Sequence, residues 1–180
     1  MSFVEPITVA EVMTHCRITS VDEAESAKIS AFISAAREYV ESYTGKLYGS
    51  RVETAVFKGL YPILPIAKGP VTSVISVIAE TEDGPVDVTG NYVIDVQTGF
   101  ELIAKNNLPD LKLSDEFLYP VTVEYNAGLS VMPASIKQAC LLIIGHWYEN
   151  REEVVVSAGN AIQIPLAAKS LLEMRRHSVL

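Results

Sequence analysis

The side chains best suited to chemistry are three histidines and two cysteines, and their spacing argues against a catalytic or metal centre. His15, His146 and His177 lie far apart along the chain. Cys16 and Cys140 fall inside apparent helical patterns. No pair of them has the short spacing typical of zinc ligands. We therefore expect no metal site, and we expect both cysteines to behave as small buried hydrophobes in a reducing compartment.

Motifs that bind phosphate or activate a nucleophile are also missing. Gly45-Lys46 lacks the upstream glycine of a phosphate-binding loop and fits the end of a helix instead. The acidic pairs Glu82-Asp83 and Asp115-Glu116 fall in predicted turns, where solvated carboxylates are usual. The sequence alone leaves a glycosidase-like carboxylate pair open but does not indicate one. We expect no catalytic residue, no cofactor and no enzymatic activity.

Composition predicts a folded, soluble, cytosolic protein. Hydrophobic residues make up 49% of the 180 residues and charged residues 20%. The longest apolar run, Ala139 to Gly145, is far shorter than the ~20 residues that cross a bilayer, so we expect no membrane partner. A net charge of −8 argues against wrapping nucleic acid. The same charge suits either ordinary solubility or a channel through which DNA slides without sticking.

Helical patterns occupy the N-terminal part of the chain. A capping box predicts a short helix over about 8–16. Apolar residues at helical spacing predict a second, amphipathic helix over about 22–44. The charged residues Lys28, Arg37, Glu38 and Glu41 of this second helix fall mostly outside its apolar stripe.

The middle of the chain, about 50–128, changes to the two-residue period of strands. The strand patterns cover 52–56, 71–79, 92–96 and 121–125, with turn signals between them. The stretch from Val71 to Ala79 is typical of a strand covered on both faces. Short strands at this spacing predict a small antiparallel sandwich or barrel-like unit.

Helical patterns return at Pro133. Residues 134–151 are apolar nearly all round, which predicts a central helix, and a last amphipathic helix is predicted over about 166–176. The fold class is therefore α+β: a helical bundle core of about four helices, interrupted by an inserted small antiparallel β domain. The expected segments are the N-terminal helices in 1–49, the inserted β-rich subdomain in 50–130, and the C-terminal helices with a mobile assembly segment in 131–180.

A run of three valines follows the central helix and is unusual for an exposed loop. Val154, Val155 and Val156 precede Ser157-Ala158-Gly159-Asn160, and no helical period continues there. The run can close as a hairpin onto its own core, or it can add to a neighbouring chain as a strand. We weigh these two interpretations equally, and exposed aliphatic residues of this kind indicate an interaction site.

Residues 133–152 resemble the hallmark helix of the head–tail connector, or head-completion adaptor, proteins of tailed phages. That helix has a proline, an apolar run and then His-Trp-Tyr-Glu-Asn-Arg-Glu, which stands here from His146 to Glu152. Residues 33–45, ISAAREYVESYTG, and Ile164-Pro165 before the last helix are similar to the same family. The resemblance identifies these signature residues: Ile136, Ile143, His146, Trp147, Tyr148 and Arg151.

The resemblance implies a structural adaptor rather than an enzyme. Such proteins form a ring, of about twelve subunits, below the portal protein at the virion head–tail junction, after a period in the host cytoplasm. The ring extends the DNA channel, lets double-stranded DNA pass without specific binding, and docks a downstream connector or tail-completion protein. The implied subunit or portal interface comprises Val154, Val155, Val156, Leu171, Arg175 and Arg176.

A different class of function also fits the residues. A generic binding module, without catalytic activity, could use the β insertion to recognise a protein or a ligand. Ring formation by the purified chain, or its binding to portal, favours the connector. A strict monomer with no affinity for portal favours the binding module.

Overall fold

The structure, a computed structural model, describes residues 5–150 and 164–175. Within those residues four helices and seven strands form an α+β fold. The chain divides into two compact units. Residues 50–129 form the β unit, and the described residues of 4–49 and 130–180 form the helical unit. The predicted fold class, helices interrupted by an inserted antiparallel β domain, is confirmed.

Local capping signals set the ends of the first two helices. The four helices are α1 Val9–Cys16, α2 Glu23–Thr44, α3 Ala134–Glu149 and α4 Leu166–Glu173. Thr8 and Glu11 form the predicted capping box at α1. Asp22 caps α2 by accepting a hydrogen bond of 2.7 Å from the backbone N–H of Glu25. Gly45 ends α2 with a φ of 69°, a left-handed conformation that glycine adopts without steric cost.

The core of the helical unit lies between α3 and the other three helices, all of which pack against it. Its fully buried side chains include Val12, Ile29, Val40, Ile136, Ile143, Ile144 and Leu172. Arg37 and Glu41 of α2 are buried, although the sequence pattern places them mostly outside the apolar stripe. None of the helices in the described residues has both the length and the apolarity to cross a membrane.

The β unit contains two antiparallel sheets. The strands are β1 Arg51–Phe57, β2 Ile63–Pro65, β3 Val71–Thr81, β4 Gly84–Asp87, β5 Tyr92–Ile94, β6 Glu101–Ala104 and β7 Val121–Ala127. One sheet has the order β1-β7-β3-β4 and the other the order β2-β6-β5. Because β7 pairs with both β1 and β3, the last strand in the chain forms the middle of the larger sheet.

The inner face of the larger sheet forms one side of the β unit's core. Tyr125 of β7 pairs with Glu53 of β1 on one side and with Val74 of β3 on the other. Two residues along β7, on the same face of the sheet, Val123 pairs with Ala55. Tyr125 is 1% exposed. Burial, together with the negative charge of Glu53, raises the pKa of Tyr125 to about 12.

Two expectations for these strands are corrected by the structure. β3 is not covered on both faces, since Thr72 and Ile75 are exposed. Aliphatic β-branched residues suit an open sheet face as well as a buried one, so composition misleads here. The fifth strand ends at Ile94, because Asp95 accepts hydrogen bonds from Gln97 and Thr98 and turns the chain.

Candidate functional site

Helix α3 carries the family resemblance and is the central element of the helical unit. It begins directly after Pro133, whose restricted φ suits the start of a helix. Ile136 and Ile143 are fully buried. These two signature residues therefore belong to the core, where they hold α3 against its neighbouring helices.

Trp147 anchors the C-terminal half of α3. It is 6% exposed, and its ring centroid lies 6.1 Å from that of Phe32 on α2, with the planes tilted by 56°. Its Nε1 is buried and has no hydrogen-bond partner in the part of the chain that the structure describes. An unpaired buried donor costs about 1–3 kcal/mol, so packing rather than hydrogen bonding holds this side chain.

The neighbouring signature residues make polar contacts at the end of α3. The hydroxyl of Tyr148 donates to Glu25 Oε1 at 2.7 Å, which joins the end of α3 to the first turn of α2. Nδ2 of Asn150 lies 3.1 Å from His146 Nδ1 and donates to the His146 carbonyl at 2.9 Å. His146 therefore helps to end the helix, and this contact gives it a structural role.

A buried ionic cluster surrounds Arg37 on α2. Its Nε lies 2.9 Å from Glu5 Oε2, and its NH1 lies 3.0 Å from Glu41 Oε2. The other carboxylate oxygen of Glu41 accepts the backbone N–H of Tyr48 at 2.8 Å. Ser34 donates its hydroxyl to Glu5 at 2.8 Å. The cluster thus ties the N-terminal segment and the segment after α2 to one face of that helix.

The sequence contains a partial signal for this cluster. Arg37 and Glu41 stand four residues apart, a spacing that pairs opposite charges on one helix face. That spacing does not reveal burial, which depends on Glu5 and on the backbone of Tyr48 folding over the same face. Breaking such a buried pair by removing one partner typically costs about 3–5 kcal/mol.

An ion pair joins α1 to α3 at the signature helix. The carboxylate of Glu11 accepts a hydrogen bond from Lys137 Nζ and another, of 3.0 Å, from the backbone N–H of Thr8. The hydrogen bond from Lys137, supported by the one from Thr8, holds the pKa of Glu11 below its usual value. The same carboxylate therefore caps α1 and fixes it against α3.

The two cysteines lack the environment of a reactive thiol. Burial raises the pKa of the Cys140 thiol to about 12, and the nearby charge of Glu41 contributes. Burial also raises the pKa of Cys16, which is half-buried, and the charge of Glu149 adds to the effect. Over residues 5–150 and 164–175, no group of three or more His, Cys, Asp or Glu side chains could hold a metal ion.

The structure brings the two acidic pairs of the sequence together in the β unit. Glu82 of the first pair and both residues of the second line an open cleft, whose other lining residues are Glu80, Thr81, Gly84, Ser114 and Phe117. Glu82 accepts a hydrogen bond of 2.6 Å from Lys112, and Asp115 and Glu116 are exposed. Exposed, solvated carboxylates lack the buried setting that makes a carboxyl group a general acid. The cleft offers negative charge rather than acid–base chemistry.

The predicted interface residues are only partly covered by the structure. Leu171 of α4 is half-buried, and Arg175 directly after α4 is exposed. Leu166 and Met174 are 85% and 68% exposed at the two ends of α4. The other predicted interface residues, Val154, Val155, Val156 and Arg176, lie outside the described residues, and so does the signature residue Arg151.

Exposed aliphatic residues form a row across the smaller sheet, which sequence reasoning did not single out. Ile63 of β2 pairs with Ile103 of β6, which pairs with Val93 of β5. Their exposed fractions are 51%, 37% and 42%. On β1 of the other sheet, Val52 and Val56 are 51% and 49% exposed. Apolar groups gathered in this way indicate contact surfaces.

Comparison with solved structures shows the same fold in phage-like particles. A chain in the neck of an empty gene transfer agent particle, computed with C6 symmetry, has a TM-score of 0.75 and 22% identity. A chain in the virion of the native particle has a TM-score of 0.72 and 18% identity. A chain in the neck of the native particle, computed with C12 symmetry, has a TM-score of 0.68 and 18% identity. Each alignment covers 100% of this chain and 97% of the other.

Comparison by sequence identifies the family. No curated protein matches the chain. The sequence profile described as "Head completion protein" matches residues 5–176, which include all of α1 to α4 and the β unit. The resemblance noted in the signature helix is thereby confirmed, and the protein belongs to the head completion protein family.

Proposed function

We propose that the chain is a structural, non-catalytic subunit at the head–tail junction of a tailed phage, a prophage or a related phage-like particle. Family membership over residues 5–176 carries this proposal. The full-length likeness to a chain in the neck of a gene transfer agent particle supports the same location. Before assembly the subunit would reside in the host cytoplasm.

We further propose that about twelve copies close into a ring below the portal protein. The similar neck chain in the particle with C12 symmetry supports this number. A ring subunit needs two different contact surfaces, since head-to-tail contacts must close a cycle. The exposed aliphatic residues of β1 and of the smaller sheet are candidates for such surfaces.

The portal contact belongs, in this proposal, to the C-terminal part of the chain. Leu171, Arg175 and Arg176, with the valine run 154–156, would form a subunit or portal interface. The exposure of Leu166, Met174 and Arg175 around α4 supports a contact there. The opposite face of the ring would dock a downstream connector or a tail-completion protein.

The ring would extend the channel through which double-stranded DNA leaves the head. The net charge of −8 and the acidic cleft of the β unit support passage without specific binding, because negative surfaces repel the phosphate backbone. The division into segments 1–49, 50–130 and 131–180 is part of the proposal. The compact β unit of residues 50–129 supports the insertion of a separate subdomain.

The experiment that tests this function compares the full-length chain alone and mixed with purified portal rings, using native mass spectrometry and negative-stain microscopy. We expect rings of about twelve subunits, or complexes with portal. Reversing the charges in Arg175→Glu/Arg176→Glu should weaken portal binding, whereas Lys105→Glu, an exposed lysine in the β unit, should not. A chain that forms no ring and does not bind portal would contradict the proposal.

A further inference from the structure

The two edges of the larger sheet differ in how they are protected. β1 is an edge strand of seven residues without proline or glycine, and among residues 5–150 and 164–175 it pairs with β7 alone. Its charged side chains do not prevent a further strand from pairing, because they are engaged with one another: Arg51 donates to Glu53 at 2.9 Å, and Lys68 donates to the same carboxylate at 2.9 Å. A long edge of this kind is open to pairing with another chain.

The opposite edge, β4, is short and acidic. It has four residues, one of which is Pro85, and proline has no N–H to donate to a further strand. Exposed acidic residues lie along and beside it: Glu82, Asp83, Asp87, Asp115 and Glu116. Two such edges repel one another, so β4 is protected against pairing with its own copy.

Strand direction and register make β1 a compatible neighbour for β4. Every pairing in the sheet β1-β7-β3-β4 is antiparallel, so β1 and β4 run in opposite directions. A second copy placed edge to edge would therefore continue an antiparallel sheet. One row of paired residues crosses the sheet from edge to edge. It runs from Phe57 of β1 through Val121 of β7 and Ala79 of β3 to Val86 of β4.

Charges at that level of the sheet are complementary. Lys58 follows Phe57 directly and is exposed, at the level of Pro85 on the other edge. Asp83 is exposed in the turn between β3 and β4, at the same end of the sheet. Placing the next copy beside this edge thus brings the exposed Lys58 near the acidic turn that holds Asp83. Val52 and Val56 of β1, about half exposed, would be covered by the same contact.

We propose that the β1 edge of one copy, with Lys58, docks against the β4 edge of the next copy, with Asp83, and that this contact repeats around the assembly. The contact is heterologous, as a closed ring requires. The inference rests on the proposed ring and names the surfaces of the β unit that build it. Opposite charges at such a contact set its register and disfavour the wrong edge.

A charge-swap cycle in the full-length chain tests the contact. Lys58→Glu and Asp83→Lys should each raise the dissociation constant between subunits about tenfold, because each places like charges opposite one another. Since every subunit carries both edges, Lys58→Glu/Asp83→Lys in one chain should recover most of the loss. Lys28→Glu makes the same charge change at an exposed residue of α2, outside the β unit, and should leave assembly unchanged.

Native mass spectrometry and sedimentation velocity, each with and without portal rings, provide the readout, and thermal melting checks that every variant is folded. Wild-type rings that are insensitive to both reversals, or reversals that add rather than cancel in the double variant, would overturn the edge contact while leaving the ring in place. A wild-type chain that stays monomeric alone and with portal would overturn the ring and the edge contact together.

Discussion

The core of the helical unit and the sheets of the β unit differ in which kinds of side chain they bury and which they leave exposed. The helical unit buries even charged groups, as in the cluster of Arg37, Glu5 and Glu41. The β unit leaves aliphatic β-branched residues exposed, as in Ile63 and Val56. Folding alone does not require the second arrangement, since each exposed aliphatic side chain forgoes the gain of burial.

The difference indicates where stability and where assembly reside. A unit with a dry core and satisfied buried charges is specified by its own contacts. A unit with gathered exposed apolar groups retains surface for a partner. We therefore expect substitutions in the core shared by α1, α2 and α3 to act mainly on the free energy of unfolding. Substitutions on the open faces of the β unit, like those at the exposed residues around α4, should act mainly on association.

The largest effect is expected at Trp147. Trp147→Ala removes a ring that packs on Phe32 and leaves a cavity, so the free energy of unfolding should fall by about 3–5 kcal/mol. Urea denaturation followed by circular dichroism measures this change. Phe117→Ala, at an aromatic residue of the β unit that is 50% exposed, is the matched control and should cost far less. If the Trp147 variant is as stable as the wild type but fails to assemble, Trp147 is an interface residue instead.

A smaller loss is expected when the buried cluster is broken. Arg37→Met removes the cation that Glu5 and Glu41 share and should destabilise the chain by about 3 kcal/mol. Adding Glu41→Gln should recover part of the loss, because the amide oxygen can still accept the N–H of Tyr48 without a buried charge. Chemical denaturation of the single and double variants gives the coupling energy. Additive losses would show that the cluster does not act as a unit.

Adjacent residues of β6 separate core from surface within the β unit. Leu102 is fully buried and Ile103 is 37% exposed. Leu102→Ala should lower the free energy of unfolding by about 2–3 kcal/mol, near the lower end for large-to-small core changes. Ile103→Ala should cost less than about 1 kcal/mol, since part of that side chain is already in water. Thermal melts of both variants check this, and equal losses would remove the contrast between core and surface within the β unit.

The smallest expected effect is a pH dependence from the α1–α3 ion pair. The pKa of Glu11 is lowered in the folded state, so the pair stabilises the chain above the unfolded pKa of about 4.3, and this stability is lost as pH falls through the folded pKa. Lys137→Met should therefore cost less than about 1 kcal/mol near neutral pH, since both side chains are partly exposed.

Below the folded pKa the wild type and the Lys137→Met variant should have similar stability. Denaturation curves from about pH 7 to pH 3 measure the difference between them. In the β unit the pKa of Glu53 is also lowered, because hydrogen bonds from Lys68 and Arg51 outweigh the effect of burial. Lys68→Met should then show the same sign of pH dependence. A stability difference that grows on acidification would contradict this sign.

Much of the fold was predictable because its signals are local. The cap at Asp22, the stop at Gly45 and the apolar period of α3 each depend on neighbours within a few residues. The signature stretch 133–152 carried most of the resemblance to the family, since its order is read directly along the chain. The buried state of Arg37 was not predictable, because its partner Glu5 lies 32 residues away.

The sequence by itself determined the ends of the first two helices, four of the seven strands, and membership of the head completion family. Only the tertiary structure decided which face of each strand is covered: β1 turns Val52 and Val56 outward and Glu53 inward, toward Tyr125. Alternation places side chains on two faces without saying which face meets the core. That choice depends on pairing with β7, which lies about seventy residues later in the chain.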